Sequence, residues 1–140
     1  MSEIRLFTLE EAERTLPLVR RIVADLVSAY PGWRAGVAKY EALSLEARPE
    51  GGETAEMVAV RDAVAAKAER IDGYLRELEE IGCVFKGFDA GLVDFHSLRD
   101  DRPIYLCWRL GEERISHWHE IDSGFSGRQP IDDGILSETR

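Results

Sequence analysis

Two histidines in the last quarter of the chain have a spacing that suggests chemistry. His117 and His119 are two positions apart in an aromatic stretch, so on a β-strand both side chains would point to one face of a sheet. Two imidazoles on one strand are a common way to present nitrogen ligands to a metal ion. The alternatives are a solvated or hydrogen-bonded ring for His117 and a buried ring bonded to a carboxylate for His119.

Carboxylates could complete such a site. Asp94 lies between Val93 and Phe95, where a residue that only increases solubility is not expected. Glu112 falls in a predicted turn, and Glu120 follows His119 on the opposite face of a regular strand. Mixed imidazole and carboxylate ligands suit Zn, Fe, Mn or Co. The sequence therefore predicts a divalent transition metal held by His119 with Asp94, Glu112 or Glu120.

The register of the hairpin that contains these histidines decides which side chains meet. A tight turn at 111–114 would place Leu106 and Trp108 on the face of the histidine pair. That face would then be largely apolar and would pack against the helices. A bulge would reverse the arrangement and bring Cys107 beside His119. Otherwise Cys107 is expected to be a small buried apolar residue.

A glycine-rich segment after the last histidine offers a second kind of site. The run Gly-Phe-Ser-Gly-Arg-Gln-Pro at 124–130 could wrap an anion, because its glycines allow backbone amides to converge and Arg128 adds a bidentate donor. Arg128 is therefore the candidate for binding a cofactor or small anion. The alternative is a structural loop in which Arg128 pairs with an acidic residue.

The first 82 residues must form the helical part that supports these segments. Thr8 and Glu11 have the spacing of a capping box, which predicts a helix start. Pro17 should either kink this helix or begin a new one. Tyr30, Pro31 and Gly32 are expected to end it, with a shorter helix following at 33–46.

A longer helix is predicted over 53–81, after the breaker at 48–52 and before a C-terminal Gly82. Apolar residues recur at helical spacing over 16–30 and again over 57–81. A helix of about 29 residues would be ~43 Å long, which is long for a domain with a gyration radius of ~14 Å. These two stripes are therefore predicted to form the interface of a homodimer.

Alternating aromatic and β-branched residues after Gly82 predict an antiparallel meander. The predicted strands are 92–97, 104–110 and 115–121, followed by an irregular tail over 122–140. Within that tail, 132–140 is expected to be dispensable for folding. The fold class is thus α+β in a single domain, 1–140, with a long-helix bundle at 1–82 and a small β part at 83–140.

Composition excludes several classes of protein. The chain has 140 residues, 27 acidic and 18 basic, with a net charge of −9; such a field disfavours nucleic acid and anionic lipid. No apolar run approaches the ~20 residues of a membrane span. Two cysteines do not form a disulfide framework, so a cytoplasmic location is expected.

Three segments within 86–130 form a distinctive pattern: Lys-Gly-Phe-Asp-Ala-Gly-Leu-Val-Asp-Phe, Tyr-Leu-Cys-Trp-Arg-Leu-Gly-Glu, and Trp-His-Glu-Ile-Asp-Ser-Gly-Phe-Ser-Gly-Arg-Gln-Pro. With the opening Phe-Thr-Leu-Glu-Glu-Ala, they resemble an uncharacterised bacterial family, domain of unknown function 2203. The resemblance implies no established reaction. Its pattern favours His119 over His96 and His117, and it matches here at Asp94, Cys107, Trp108, Gly111, Glu112, Trp118, His119, Gly124 and Arg128.

The leading hypothesis is a cytoplasmic metal-binding protein that works as a homodimer, with no catalytic residue assigned and with enzymatic activity left open. The alternative is a non-catalytic oligomeric interaction module whose polar motif only fixes the sheet and tail. A third interpretation is a small-molecule or anion site at Arg128.

Overall fold

Two long packed helices followed by a five-stranded antiparallel sheet form an α+β fold. The computed structural model describes residues 3–138. The strands are hydrogen-bonded in chain order from β1 to β5. The elements are α1 (Leu9–Glu46), a 3₁₀ turn (Pro49–Gly51), α2 (Ala55–Ile81), β1 (Val84–Gly87), β2 (Leu92–Arg99), β3 (Arg102–Arg109), β4 (His117–Glu120), a second 3₁₀ turn (Phe125–Gly127) and β5 (Gln129–Pro130).

The start of α1 is as predicted, but its length is not. The Thr8 hydroxyl accepts from the Glu11 amide at 3.1 Å, and the Glu11 carboxylate accepts from the Thr8 amide at 2.8 Å. The helix then runs for 38 residues with Pro17 and Pro31 inside it. The predicted stop at Tyr30 to Gly32 and the separate helix at 33–46 were therefore wrong, and two paired helices replace the expected bundle.

Close packing of the two helices explains why α1 continues past Pro31. A Cβ atom on Gly36 would lie 2.7 Å from Cγ2 of Val64, and one on Gly32 would lie 3.4 Å from Cε of Lys67. These glycines let the helix backbones approach each other. Contacts along α2 therefore offset the ~3 kcal/mol that an interior proline costs locally.

The second helix begins two residues after the predicted start at 53 and ends at Ile81 as predicted. Thr54 caps it by accepting from the Met57 amide at 3.1 Å. Gly82 ends it with a left-handed φ of +105°, which glycine adopts without strain. Within residues 3–138, no helix is both long enough and apolar enough to cross a membrane.

The two apolar stripes pack mainly inside the chain. Leu16, Val23 and Leu26 of the first stripe and Leu78 of the second are buried in the core that the helices share with the sheet. Farther from the sheet the helices are more exposed: among residues 27–70 whose burial is described, only Met57 is buried. The homodimer through these stripes remains a prediction.

The sheet contains the three predicted strands and two more. β1 and β5, of four and two residues, are too short to give a clear alternating pattern. The tail is also more ordered than expected: Ile135 is 2% exposed, and the Leu136 carbonyl accepts from the Leu9 amide at 2.9 Å. The expectation that 132–140 is dispensable assumed a segment that does not pack on the core. That assumption was wrong, because Ile135 is docked in the core.

The two faces of the sheet have different environments. The inner face packs on the helices and is apolar, with Phe95, Leu106, Trp108 and Trp118 in the core. Strand alternation puts their neighbours on the outer face. Asp94, Cys107 and His119 lie on that outer face.

Candidate metal centre

The register between β3 and β4 brings Cys107 and His119 to one face. Cys107 pairs with His117, and Tyr105 pairs with His119. This register is one residue away from the one that a tight turn predicted, and a one-residue shift exchanges the two faces. The reason is Ile115, which is 2% exposed and packs in the core instead of beginning the strand. Cys107 and His119 therefore share a face, as in the alternative, but the cause is a longer connection at 110–116 and not the predicted bulge. The face opposite to the helices carries the site.

Three buried side chains meet on this outer face, each from a different strand. Asp94 of β2, Cys107 of β3 and His119 of β4 are 2%, 1% and 2% exposed. Their ligand atoms all lie within 4.8 Å of one another. The backbones of β2 and β4 are separated by two strand spacings of ~4.8 Å. The side chains of Asp94 and His119 span this distance by reaching across β3, and they meet beside Cys107.

The His119 ring has an oxygen next to each nitrogen. Nδ1 lies 2.7 Å from the Glu120 carbonyl oxygen, and Nε2 lies 3.0 Å from Oδ1 of Asp94. A carbonyl oxygen only accepts, so Nδ1 carries hydrogen. One proton must also lie between Nε2 and Oδ1, because two facing lone pairs would repel. A ring held this way through Nδ1 is the usual arrangement of a histidine that offers Nε2 to a metal.

The Cys107 thiol is held in its neutral form. Burial and the neighbouring Asp94 carboxylate raise its pKa to about 12, while Arg128 acts in the opposite direction. A thiol in this state is a poor nucleophile at neutral pH. A metal ion can still bind it as a thiolate by displacing the proton.

A loop over residues 121–128, the covering loop, lies beside the cluster on the outer face. Gly124 begins its 3₁₀ turn with a φ of +65° and a ψ of −163°, a conformation almost confined to glycine. Beneath the loop lies a cavity of about 240 Å³, lined by the three clustered side chains together with Lys86, Leu92, Gly124 and Phe125. Lys86 Nζ is 3.4 Å from Oδ2 of Asp94 and lies over the Tyr105 ring.

Glu112 and Arg128 pair with each other at the edge of the cluster. Arg128 Nη2 donates to Oε1 of Glu112 at 2.7 Å and to the Cys107 carbonyl oxygen at 3.2 Å. Burial raises the pKa of Glu112, but Arg128 and the Arg109 amide outweigh it and hold that pKa below 4.5. Arg128 Nε is a buried donor without a hydrogen-bond partner in residues 3–138. The pairing of Arg128 with an acidic residue matches the structural-loop alternative.

The other candidates lie outside the cluster. The Glu120 carboxylate accepts from Arg102 at 2.8 Å, and only its backbone carbonyl contacts His119. His117 Nδ1 is 2.9 Å from the Ser116 hydroxyl and 3.9 Å from Oε2 of Glu112. Of the predicted ligands, the structure thus brings together Asp94 and His119.

Cys107 is the member of the cluster that the predicted ligand set omitted. Its two sequence signals were the alternative hairpin register and its place in the resemblance pattern. Asp94, Cys107 and His119 offer a carboxylate oxygen, a thiolate sulfur and an imidazole nitrogen. In a tetrahedral zinc site, such atoms lie roughly 3.3–3.8 Å apart, so small side-chain movements would bring this group into ligating distance.

One family comparison covers almost the whole chain. The model of a family described as "Uncharacterized conserved protein (DUF2203)" matches residues 5–131. No curated protein and no solved structure matches the chain significantly. The chain belongs to the DUF2203 family.

Proposed function

We propose that this member of the DUF2203 family binds one divalent transition metal ion through Asp94 Oδ1, Cys107 Sγ and His119 Nε2. The observation that carries the proposal is the convergence of these three groups, all buried, within 4.8 Å. Burying an acid, a thiol and an imidazole together is unfavourable unless they are paired or bind a metal.

The chemistry of the group narrows the choice of metal. A thiolate beside an imidazole and a carboxylate favours Zn, Fe or Co over Mn, which prefers oxygen ligands. Three protein ligands leave one position of a tetrahedral ion open, as in catalytic zinc sites. Lys86 and Arg128 support the site from outside, the first at Oδ2 of Asp94 and the second at the carbonyl of Cys107.

The two cysteines provide a matched test. Cys83 is also buried, at 5% exposure, and its pKa is also raised to about 12, but it lies in the apolar core. Reduced protein should be titrated with Co²⁺ and followed by thiolate-to-cobalt charge-transfer absorption. We expect one Co²⁺ per chain in the wild type and in Cys83→Ser, and loss of the band in Cys107→Ser and His119→Ala. Protein that binds neither Co²⁺ nor Zn²⁺ would contradict the proposal.

One observation favours the alternative of a structural, metal-free module. Both His119 nitrogens already have protein partners, so the cluster could simply join β2, β3 and β4. Thermal melting distinguishes the two functions, because a ligand at 100 times its Kd stabilises the folded state by about 2.7 kcal/mol. No rise in melting temperature with excess Zn²⁺ would support the structural module.

A further inference from the structure

The cavity under the covering loop defines where a fourth ligand of the metal would lie. Asp94, Cys107 and His119 all line this cavity. Since a tetrahedral ion on three protein ligands keeps one open position, that position faces the cavity. The inference below rests on the proposed metal function and concerns what fills this position.

The charges around the cavity favour an anion. The carboxylate of Asp94 and the thiolate of Cys107 would balance the two positive charges of the ion. Lys86 then contributes an additional positive charge, with its Nζ 3.4 Å from Asp94 and its side chain 39% exposed. Arg128 adds none, because Glu112 pairs with it at 2.7 Å. An anion at the open position would therefore meet a net positive environment.

The size and walls of the cavity limit the anion further. A volume of about 240 Å³ is below the range of roughly 300–1,000 Å³ typical of drug-sized ligands. Leu92 and Phe125 supply apolar walls, which stabilise a ligand by about 0.8 kcal/mol for each methylene that they remove from water.

We propose that the metal centre takes a small carboxylate with a short apolar chain, bound by one oxygen to the metal and held by the Lys86 ammonium. The carboxylate meets the ion and Lys86, and its chain lies against Leu92 and Phe125. Lys86 is then a specificity-determining residue of the site.

The test uses Co²⁺-saturated full-length protein, with butyrate, acetate, phosphate and neutral butyramide as probes of the cobalt visible spectrum. We expect butyrate to bind more tightly than acetate and phosphate, and butyramide to leave the spectrum unchanged. Lys86→Gln should weaken butyrate about tenfold, since a charge-assisted hydrogen bond is lost. Lys86→Arg should restore part of the affinity. Lys39→Gln, at an exposed lysine on α1, should bind as the wild type does.

Failure of this inference is distinguishable from failure of the metal site. Protein that does not bind Co²⁺ overturns both. Protein that binds Co²⁺ but shows no butyrate response, equal affinity for phosphate and butyrate, or unchanged butyrate affinity in Lys86→Gln overturns the carboxylate assignment alone.

Discussion

Both faces of the sheet contain buried side chains, but these side chains have different partners on the two faces. On the inner face, Phe95 and Trp108 are fully buried against apolar neighbours from the helices. On the outer face, Asp94 and His119 are buried to the same degree beneath the covering loop. Apolar burial stabilises the fold, whereas burial of titratable groups does so only when they are paired.

Adjacent residues of β2 therefore have different roles. Asp94 contacts the other candidate metal ligands, whereas Phe95 packs edge-to-face on Phe7 with 5.2 Å between the ring centroids. We therefore expect changes on the inner face to reduce folding stability. Changes on the outer face should mainly affect metal binding.

The largest effect is expected at the centre of the inner face. Phe95→Ala should lower the free energy of unfolding by about 3–5 kcal/mol, because it removes a fully buried aromatic ring and leaves a cavity. Chemical denaturation measures the change. Leu45→Ala is the control, since Leu45 is 89% exposed, and it should shift stability by no more than ~0.5 kcal/mol. Equal losses in the two variants would refute the assignment of the faces.

The next effect concerns the C-terminal segment that completes the core. Ile135→Ala should cost about 2–5 kcal/mol, as for other buried aliphatic truncations. Ile135→Val keeps most of the volume and should cost about 0.5–1.5 kcal/mol. Denaturation curves that superimpose on the wild type for both variants would show that Ile135 does not stabilise the fold, and would support a dispensable segment.

On the outer face, the expected effect is on metal affinity and its pH dependence. Metal binding displaces the Cys107 thiol proton, whose pKa is raised to about 12. We expect this proton to be released when the ion binds, so affinity should rise by about tenfold per pH unit near neutrality. Calorimetric titration in buffers of different ionisation enthalpy counts the protons. An affinity independent of pH between 6 and 8 would contradict this assignment.

The two cysteine thiols should make the metal-free protein less stable as the pH rises, whereas metal affinity increases with pH. Cys83 and Cys107 have a folded-state pKa of about 12, above the ordinary 9.0. Their contribution to stability is complete below pH 9 and is lost as the pH rises towards 12, because the unfolded thiols ionise first. Denaturation above pH 9 should show this decline in the wild type, and a smaller one in Cys83→Ser.

The smallest effect is expected at the start of α1, away from both faces. Thr8→Ala removes the hydroxyl that accepts from the Glu11 amide and should cost about 1 kcal/mol. Thr8→Ser retains the hydroxyl and should stay close to the wild type. A melting transition unchanged by the alanine substitution would mean that the cap does not stabilise the helix.

Features set by local contacts were predictable from the sequence. The capping box at Thr8 and the left-handed Gly82 depend on residues a few positions apart. The course of α1 through Pro31 was not predictable in this way. It depends on close packing against α2, which a local pattern does not contain.

The site was predictable only in part for a similar reason. Asp94 and His119 are polar residues in apolar surroundings, which marks them in the sequence. The partnership with Cys107 depends on a one-residue register, and that register follows from the burial of Ile115 against distant residues. A thiol is chemically ambiguous, since it suits an apolar core as well as a metal site.

The long helices also determine how the protein moves through solvent. At 38 residues, α1 is about 57 Å long, and its second half extends away from the sheet beside α2. An elongated body experiences more friction than a sphere of equal mass, so a monomer should elute early in size-exclusion chromatography. The homodimer prediction therefore needs static light scattering, where twice 15.8 kDa would support it and 15.8 kDa at all micromolar concentrations would contradict it. Early elution together with a monomeric mass would instead indicate an elongated monomer, with the two helices extending away from the sheet.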